Sequence, residues 1–315
     1  MPRRFRPYGA LGAATGGLEP KNGSNPVMQT SRLIHGLRDI APGYDVALCD
    51  IWGVIHNGHA VFPGAAEALI AWRERGGTVI LVSNAPRPSE TVVPQLDRLG
   101  LQRDAWDAII TSGDVTRSHI AAAVGKKLFH LGPDRDRPLF EGYPITFSGE
   151  EDCSLVVCTG LFDDTWETPS HYGTMLQGFK VRNVPMICAN PDLVVERGGV
   201  IIYCAGAIAE AYAQLGGAVT TCGKPYRPIY DAAFDIAASI RRHAIRPERV
   251  LAIGDSVRTD LLGAAGFGCG ALFIAAGIHA LEAGHGTGEL DPDALAQFLA
   301  DKGVIPDAAM ARLIW

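Results

Sequence analysis

From Val46 onward the chain alternates short runs of apolar, mostly β-branched residues with stretches whose apolar positions recur every three to four residues. Runs of the first kind suit strands buried on both faces, and stretches of the second suit helices with one buried face. The first run, 46–49, leads to Pro63-Gly64. These open a helix with Ala65, Ala68, Leu69 and Trp72 on its apolar side, and Gly76-Gly77 close it. A strand follows over 78–82, then a helix over 89–99 in which Pro94 predicts an irregular turn, then a strand over 108–111. The same alternation returns at 219–222, 250–253 and 271–274. A helix after Pro228 there aligns Ile229, Ala232, Ala233, Ile236, Ala237 and Ile240 on one face. Strand and helix in this order predict an α/β fold, a doubly wound parallel sheet with helices on both faces. Residues 112–218 interrupt it with strand candidates of their own at 127–131, 155–158 and 186–189. That length suits an inserted α/β domain, leaving 28–111 and 219–315 as the two parts of the core.

The 315 residues carry 28 Lys and Arg against 34 Asp and Glu, a formal net charge of −6, with no dense basic stripe. This balance argues against nucleic acid or a membrane surface as partner, so an anionic substrate would need positive charge supplied locally in its pocket. Seven cysteines, Cys49, Cys153, Cys158, Cys188, Cys204, Cys222 and Cys269, are scattered through apolar runs with no C-x-x-C pair. They read as buried free thiols of a cytoplasmic protein rather than as disulfides or a zinc site. No apolar run approaches the roughly 18 residues of a membrane span. Residues 1–27 hold Arg3, Arg4 and Arg6 ahead of Gly-rich polar sequence without an apolar signal-peptide core. A disordered leader is expected there, or an extension ahead of a start at Met28, with a basic targeting tail as the third reading.

Four groups of polar residues stand at the ends of predicted strands: Asp50 with Gly53, Ser83-Asn84, Gly223-Lys224-Pro225, and the run 254–260 with Asp255 and Asp260. In an open parallel sheet the loops at the carboxyl ends of the strands converge on one crevice, so these distant groups can share a site. The separations from Asp50 to Ser83 and from Lys224 to Asp255 are of βαβ size, and the long gap between Ser83 and Lys224 accommodates the insert. Asp50 before a glycine turn is how a nucleophilic carboxylate is presented. Asp255 and Asp260 suit a hard divalent cation. Each group alone is ordinary turn or cap chemistry; their order and spacing carry the signal.

Taken together, over about residues 31–280, these groups resemble the haloacid dehalogenase superfamily. The resemblance is to its subfamily IIA, the NagD-like and p-nitrophenylphosphatase-like branch, and Asn190-Pro191-Asp192 at the end of an insert strand adds to it. The resemblance implies a C2-type cap inserted in the core and a phosphatase that forms an aspartyl phosphate on Asp50. It also implies Mg²⁺ held by Asp50, the Trp52 carbonyl, Asp255 and Asp260. Lys224 would balance charge, Ser83 and Asn84 would hold the phosphate oxygens, and cap residues such as Asn190 would choose a small phosphorylated metabolite. Cap-mediated homodimers are a further implication. Asn190 and Asp192 are equally well explained by turn geometry, and Asp163-Asp164 reads as a solvated turn.

Phosphatases of that family carry a second aspartate two residues after the first, as acid and base for the leaving group and water; here that position is Trp52. Indole supplies neither function, and general acid–base catalysis is typically worth about 10²–10⁴-fold. Three readings follow: a phosphatase with another proton donor, for which His56 has the suitable pKa range; a dehalogenase, whose halide leaving group needs no proton; and a phosphometabolite-binding protein without turnover. The acidic fourth group argues against the dehalogenase, since halide displacement needs no magnesium. Trp52 is also a candidate to stack on a substrate ring if its side chain faces the cleft.

Overall fold

The computed structural model describes residues 31–197, 200–285 and 290–315, so the expected leader at 1–27 lies outside the described residues. The first core segment holds β1 (Arg32–Leu33), β2 (Val46–Cys49), α1 (Ala65–Glu74), β3 (Thr78–Ser83), α2 (Ser89–Leu99) and β4 (Ala108–Thr111). Next come α3 (Ser112–Ala122), β5 (Lys127–Leu131), β6 (Thr146–Phe147), β7 (Leu155–Cys158), α4 (Gly173–Val181), β8 (Met186–Cys188), β9 (Val194–Arg197), β10 (Val200–Tyr203), α5 (Ala205–Gln214) and β11 (Val219–Thr221). The chain ends with α6 (Arg227–Arg241), β12 (Val250–Gly254), α7 (Leu262–Phe267), β13 (Gly270–Ile274), α8 (Pro292–Asp301) and β14 (Ala308–Met310).

Every residue of β2, β3, β12 and β13 is buried, as their unbroken apolar runs predict for strands covered on both faces. They form the middle of a seven-stranded parallel sheet in the order β1-β14-β13-β12-β2-β3-β4. From β2 the chain proceeds outward to β3 and β4, then returns on the other side through β12 and β13. The order therefore reverses between β2 and β12, and a crevice opens there at the carboxyl ends of the strands. One face is covered by α1, with Ala65, Ala68, Leu69 and Trp72 buried as its periodicity requires, and α2 runs unbroken through Pro94.

A second, five-stranded parallel sheet, β11-β8-β7-β5-β6, forms the insert, with α4 and α5 packed on its outer face. Strand 219–221, expected in the core layer, belongs to this sheet: Val219 pairs with Met186 and Thr221 with Cys188. Both sides of β2 are already taken by β12 and β3, so the polar, partly exposed β11 finds its partner at the free edge of β8. Ile240 also departs from expectation; it is 42% exposed, since the buried face of α6 narrows to Ile229, Tyr230, Ala233 and Ala237. Between the two sheets, α3 and α6 contribute Val115, Ile120, Ile229 and Ala233 to one apolar cluster. It joins Val46 and Ile80 of the core to Leu128, Val157 and Ile187 of the insert. A separate antiparallel hairpin, β9–β10, extends from the insert.

All seven cysteines are free thiols, and six of them are buried. No helix among the described residues is long and apolar enough to cross a membrane.

Candidate active site

Asp50 continues β2 by one rung: its N–H donates to the Ile253 carbonyl at 2.8 Å, which fixes the carboxylate at the reversal point of the sheet. Asp255 leaves the neighbouring strand β12, and its carboxylate nests between two glycines. A Cβ at Gly53 or at Gly277 would lie 2.0 Å from its Oδ2, so neither position has room for a side chain. Gly53 also has φ +83°, which L residues rarely adopt. The Ile278 N–H donates to the same oxygen at 2.7 Å. Asp260 follows on the helical turn after β12 and accepts from the Ser256 N–H at 3.2 Å.

Lys224 ties these carboxylates together. Only 3% exposed, it donates from Nζ to Asp50 Oδ1 and, at 2.7 Å, to Asp260 Oδ1. It enters from the loop between β11 and α6, so the strand leading to it lies in the insert sheet while its charge lies under the core site. Its backbone N–H donates to Asn84 Oδ1 at 2.8 Å, and Asn84 Nδ2 donates to Asp192 Oδ1 at 2.8 Å. Asn190 accepts the Asp192 N–H at 3.0 Å, an Asx turn that shapes the bend after β8. Ser83 Oγ accepts the Ala85 N–H at 3.1 Å.

Asp50, Trp52, Ser83, Asn84, Asn190 and Asp255 line one cavity of about 370 Å³ between core and insert. The structure thus brings together the residues expected to act on phosphate, with Lys224 and Asp260 behind the wall. Asp50, Asp255 and Asp260 each present a carboxylate oxygen within 4.8 Å of the others, all three buried. Burial pushes the Asp50 carboxyl up to about 7 and the Asp255 carboxyl well above its ordinary range, in both cases with help from neighbouring carboxylates. At Lys224 burial opposes the charge, but Asp260 and Asp50 outweigh it and hold the pKa well above normal. Among the described residues the three carboxylates have one paired cationic side chain, Lys224, on Asp50 and Asp260. Oxygen-only donors suit Mg²⁺, and the Trp52 carbonyl accepts no hydrogen bond from the described residues.

Trp52 faces the cleft. Its Nε1–H donates to the Glu196 carbonyl on β9 at 2.8 Å, and its ring meets His56 edge-on with centroids 5.0 Å apart. His56 is not brought to the cavity. It is 2% exposed, and its Nδ1 accepts the Gly58 N–H at 2.9 Å behind the indole. Burial pushes its pKa down to about 4, so it holds no spare proton near neutrality. The pH range that suggested it from sequence belongs to a solvated imidazole, and burial removes it.

His130 is likewise pushed down to about 4, chiefly by burial. Both imidazoles titrate lower in the folded chain than in the unfolded one, which therefore binds protons first as pH falls. Their contribution is intact above the ordinary imidazole value of 6.5 and is lost as pH falls through about 4. We expect each to cost roughly 1–3 kcal/mol across that window. Urea unfolding of the parent and of His56→Gln at several pH values checks this; equal pH slopes would contradict it.

Sequence reasoning missed Asp164, whose side chain is 8% exposed and pairs with Arg135 and, at 3.6 Å, with Arg197. All three line the same cavity, as does Arg87. No local signal marks them, because the partners come from segments far apart in the chain.

A buried nucleophile-type aspartate at the reversal point of a parallel sheet, with lysine and further aspartates from later crossovers and a domain inserted between, defines a haloacid dehalogenase-like hydrolase. The chain belongs to that family. Family models described as haloacid dehalogenase-like hydrolase and HAD-hydrolase-like match residues 47–146 and 221–302. The crystal structure of a haloacid dehalogenase-like hydrolase from Brucella suis 1330 is 44% identical, with TM-score 0.80, covering 90% of this chain and 100% of that one. The similarities fall within the NagD and p-nitrophenylphosphatase-like branch. The ribonucleotide monophosphatase NagD of Escherichia coli K12 is 24% identical over 240 residues, 75% of this chain and 89% of its own. The p-nitrophenyl phosphatase of Archaeoglobus fulgidus shares the fold, with TM-score 0.65 at 21% identity, over 85% of this chain and 96% of that one.

Proposed function

We propose that the protein is a Mg²⁺-dependent phosphatase of a small phosphorylated metabolite, acting through an aspartyl phosphate on Asp50. The observation that carries this reading is the cluster of three buried carboxylates, two of them paired with Lys224, of which Asp50 and Asp255 line a cavity of metabolite size. The names of the NagD and p-nitrophenyl phosphatase relatives support it.

Asp50, Asp255, Asp260 and the Trp52 carbonyl would hold Mg²⁺, which when bound offsets the charge of the phosphate and of the carboxylates. Asp50 attacks phosphorus; the new O–P bond forms as the ester O–P bond breaks, and the leaving oxygen departs with its electron pair. Water then attacks phosphorus, and the acyl phosphate bond breaks to return carboxylate and inorganic phosphate. Lys224 orients Asp50 and stabilises charge on it, while the Ser83 hydroxyl and the Asn84 N–H hold phosphate oxygens. Trp52 supplies no proton to the leaving oxygen and forms an apolar wall on which a planar substrate group can stack.

The test is phosphate release with Mg²⁺ and with chelator across aryl and alkyl phosphates. We expect Mg²⁺-dependent turnover strongly biased towards good leaving groups such as p-nitrophenolate. Trp52→Asp, which rebuilds a carboxylate at that position, is expected to raise the rate on alkyl phosphates about tenfold or more while narrowing the bias. Turnover of all esters at equal rates would remove the special role given to Trp52. No Mg²⁺-dependent release from any ester, with phosphate still raising Tm, would favour a metabolite-binding protein.

A further inference from the structure

On the insert side of the cavity, where Asp136, Asp192 and Glu196 also stand, two arginines share a single buried carboxylate. Arg135, on the turn after β5, and Arg197, at the end of β9, both pair with Asp164. One carboxylate braces two guanidiniums, so neither fork is filled by it. Each guanidinium has five N–H donors in a fixed fork, more than a shared carboxylate can take. The Arg135 and Arg197 side chains are still 49% and 39% exposed while Asp164 is 8% exposed, so the carboxylate lies beneath and the guanidiniums above it.

Arg87 adds a third. It stands on the core side, four residues after Ser83, in the loop between β3 and α2. Its nearest carboxylate, Asp136, is 3.8 Å away, too far for a hydrogen bond, and its Nη2 donates to the neutral Gln95 amide at 3.0 Å. The Arg87 side chain is 28% exposed, so the rest of its fork stays open towards the cavity. All three arginines line the cavity whose floor is Asp50 and Asp255. A structural tie between loops needs one arginine per aspartate; this arrangement leaves fork donors available to a ligand.

We propose that Arg135 and Arg197, braced by Asp164 and joined across the cleft by Arg87, form a second anion subsite, and that the substrate is a small phosphate ester carrying a second acidic group. The inference rests on the phosphatase reading for its substrate, but the subsite itself can be tested by binding alone. The phosphate end faces the carboxylates and their cation, the acidic end faces the arginines, and the apolar Val195 and Ile202 of the hairpin lie along the body of the molecule. The two ends demand opposite electrostatics, which fixes the orientation in which the ester enters. Arg135 and Arg197 are specificity-determining residues in this scheme and take no part in bond breaking.

The test compares phenyl phosphate with 4-carboxyphenyl phosphate and 4-(carboxymethyl)phenyl phosphate, in the parent and in Arg135→Gln and Arg197→Gln. The parent is expected to favour at least one carboxylated ester by about tenfold or more in kcat/KM, acting mainly through KM. Either substitution is expected to reduce that preference ratio by about 10-fold, and the pair together to bring it close to 1. Arg135→Gln leaves Arg197 on Asp164 and should fold with an unchanged melting temperature, which separates lost recognition from lost structure. No preference in the parent, or a preference that survives both substitutions, would overturn the proposal. If the parent hydrolyses none of the esters, the phosphatase reading fails. Calorimetric binding of the same three compounds to Asp50→Asn with Mg²⁺ then decides the subsite by the same ratio.

Discussion

Asp50→Asn is expected to lower Mg²⁺-dependent phosphate release by on the order of 10⁴-fold or more while leaving the protein at least as stable as the parent in chelator. The first half follows from the position of the carboxylate. It is held at the end of β2 by the Ile253 carbonyl, lines the cavity, and has Lys224 on its Oδ1. An amide of the same shape cannot form the acyl phosphate, and removal of a group that acts as part of a unit costs most of what the unit provides. The second half follows from burial, which pushes the Asp50 carboxyl up to about 7 in the protein without metal. The folded state thus disfavours the charge that Asn lacks, and Lys224 keeps Asp260 as partner at 2.7 Å. Steady-state assays with a melting curve in chelator check both halves; retained turnover would remove Asp50 as nucleophile. A large drop in Tm would instead make it a structural residue.

Lys224→Met is expected to cost more stability than any single apolar truncation nearby. Methionine fills the volume of the aliphatic stem but leaves Asp50 and Asp260 buried without their shared cation. Breaking a buried ion pair on one side typically costs about 3–5 kcal/mol. The loss should be largest near neutral pH in chelator and smaller in millimolar Mg²⁺, since a cation bound only by the folded state shifts the equilibrium by mass action. Phosphatase activity should fall as well, because the nucleophile loses both its orientation and its charge balance. Urea unfolding with and without Mg²⁺ measures the effect; an unchanged midpoint in chelator would mean that Lys224 carries no such burden.

The core sheet was legible because strands buried on both faces must be written as unbroken apolar runs, and 46–49, 78–82, 250–253 and 271–274 are such runs. Asp50, Ser83, Asn84 and Asp255 were legible for a related reason: polar residues directly after such a run stand at the carboxyl end of a parallel strand, where crevices form. The sheet to which β11 belongs was not, since a three-residue strand has no period that names its neighbour. The burial of His56 depends on a loop that folds back so that His56 bridges Trp52 and Val61, and nothing in the order of residues announces that return. Asp164 looked solvated because its sequence neighbours are polar, while its burial comes from Arg135 and Arg197, which lie 29 and 33 residues away in the chain.

The apolar cluster that runs from Val46 and Ile80 through α3 and α6 to Leu128, Val157 and Ile187 has a bearing on how substrate gets in. A lid that swung away whole would have to bare both sides of that seam, at about 25 cal/mol for each Å² of apolar surface returned to water. The inserted sheet is therefore fastened to its base; outside that cluster stands the β9–β10 hairpin. Its backbone is latched to the strand-exit loop by the indole of Trp52 through Glu196. The residue two places after Asp50 thereby joins one wall of the cavity to the insert through one hydrogen bond.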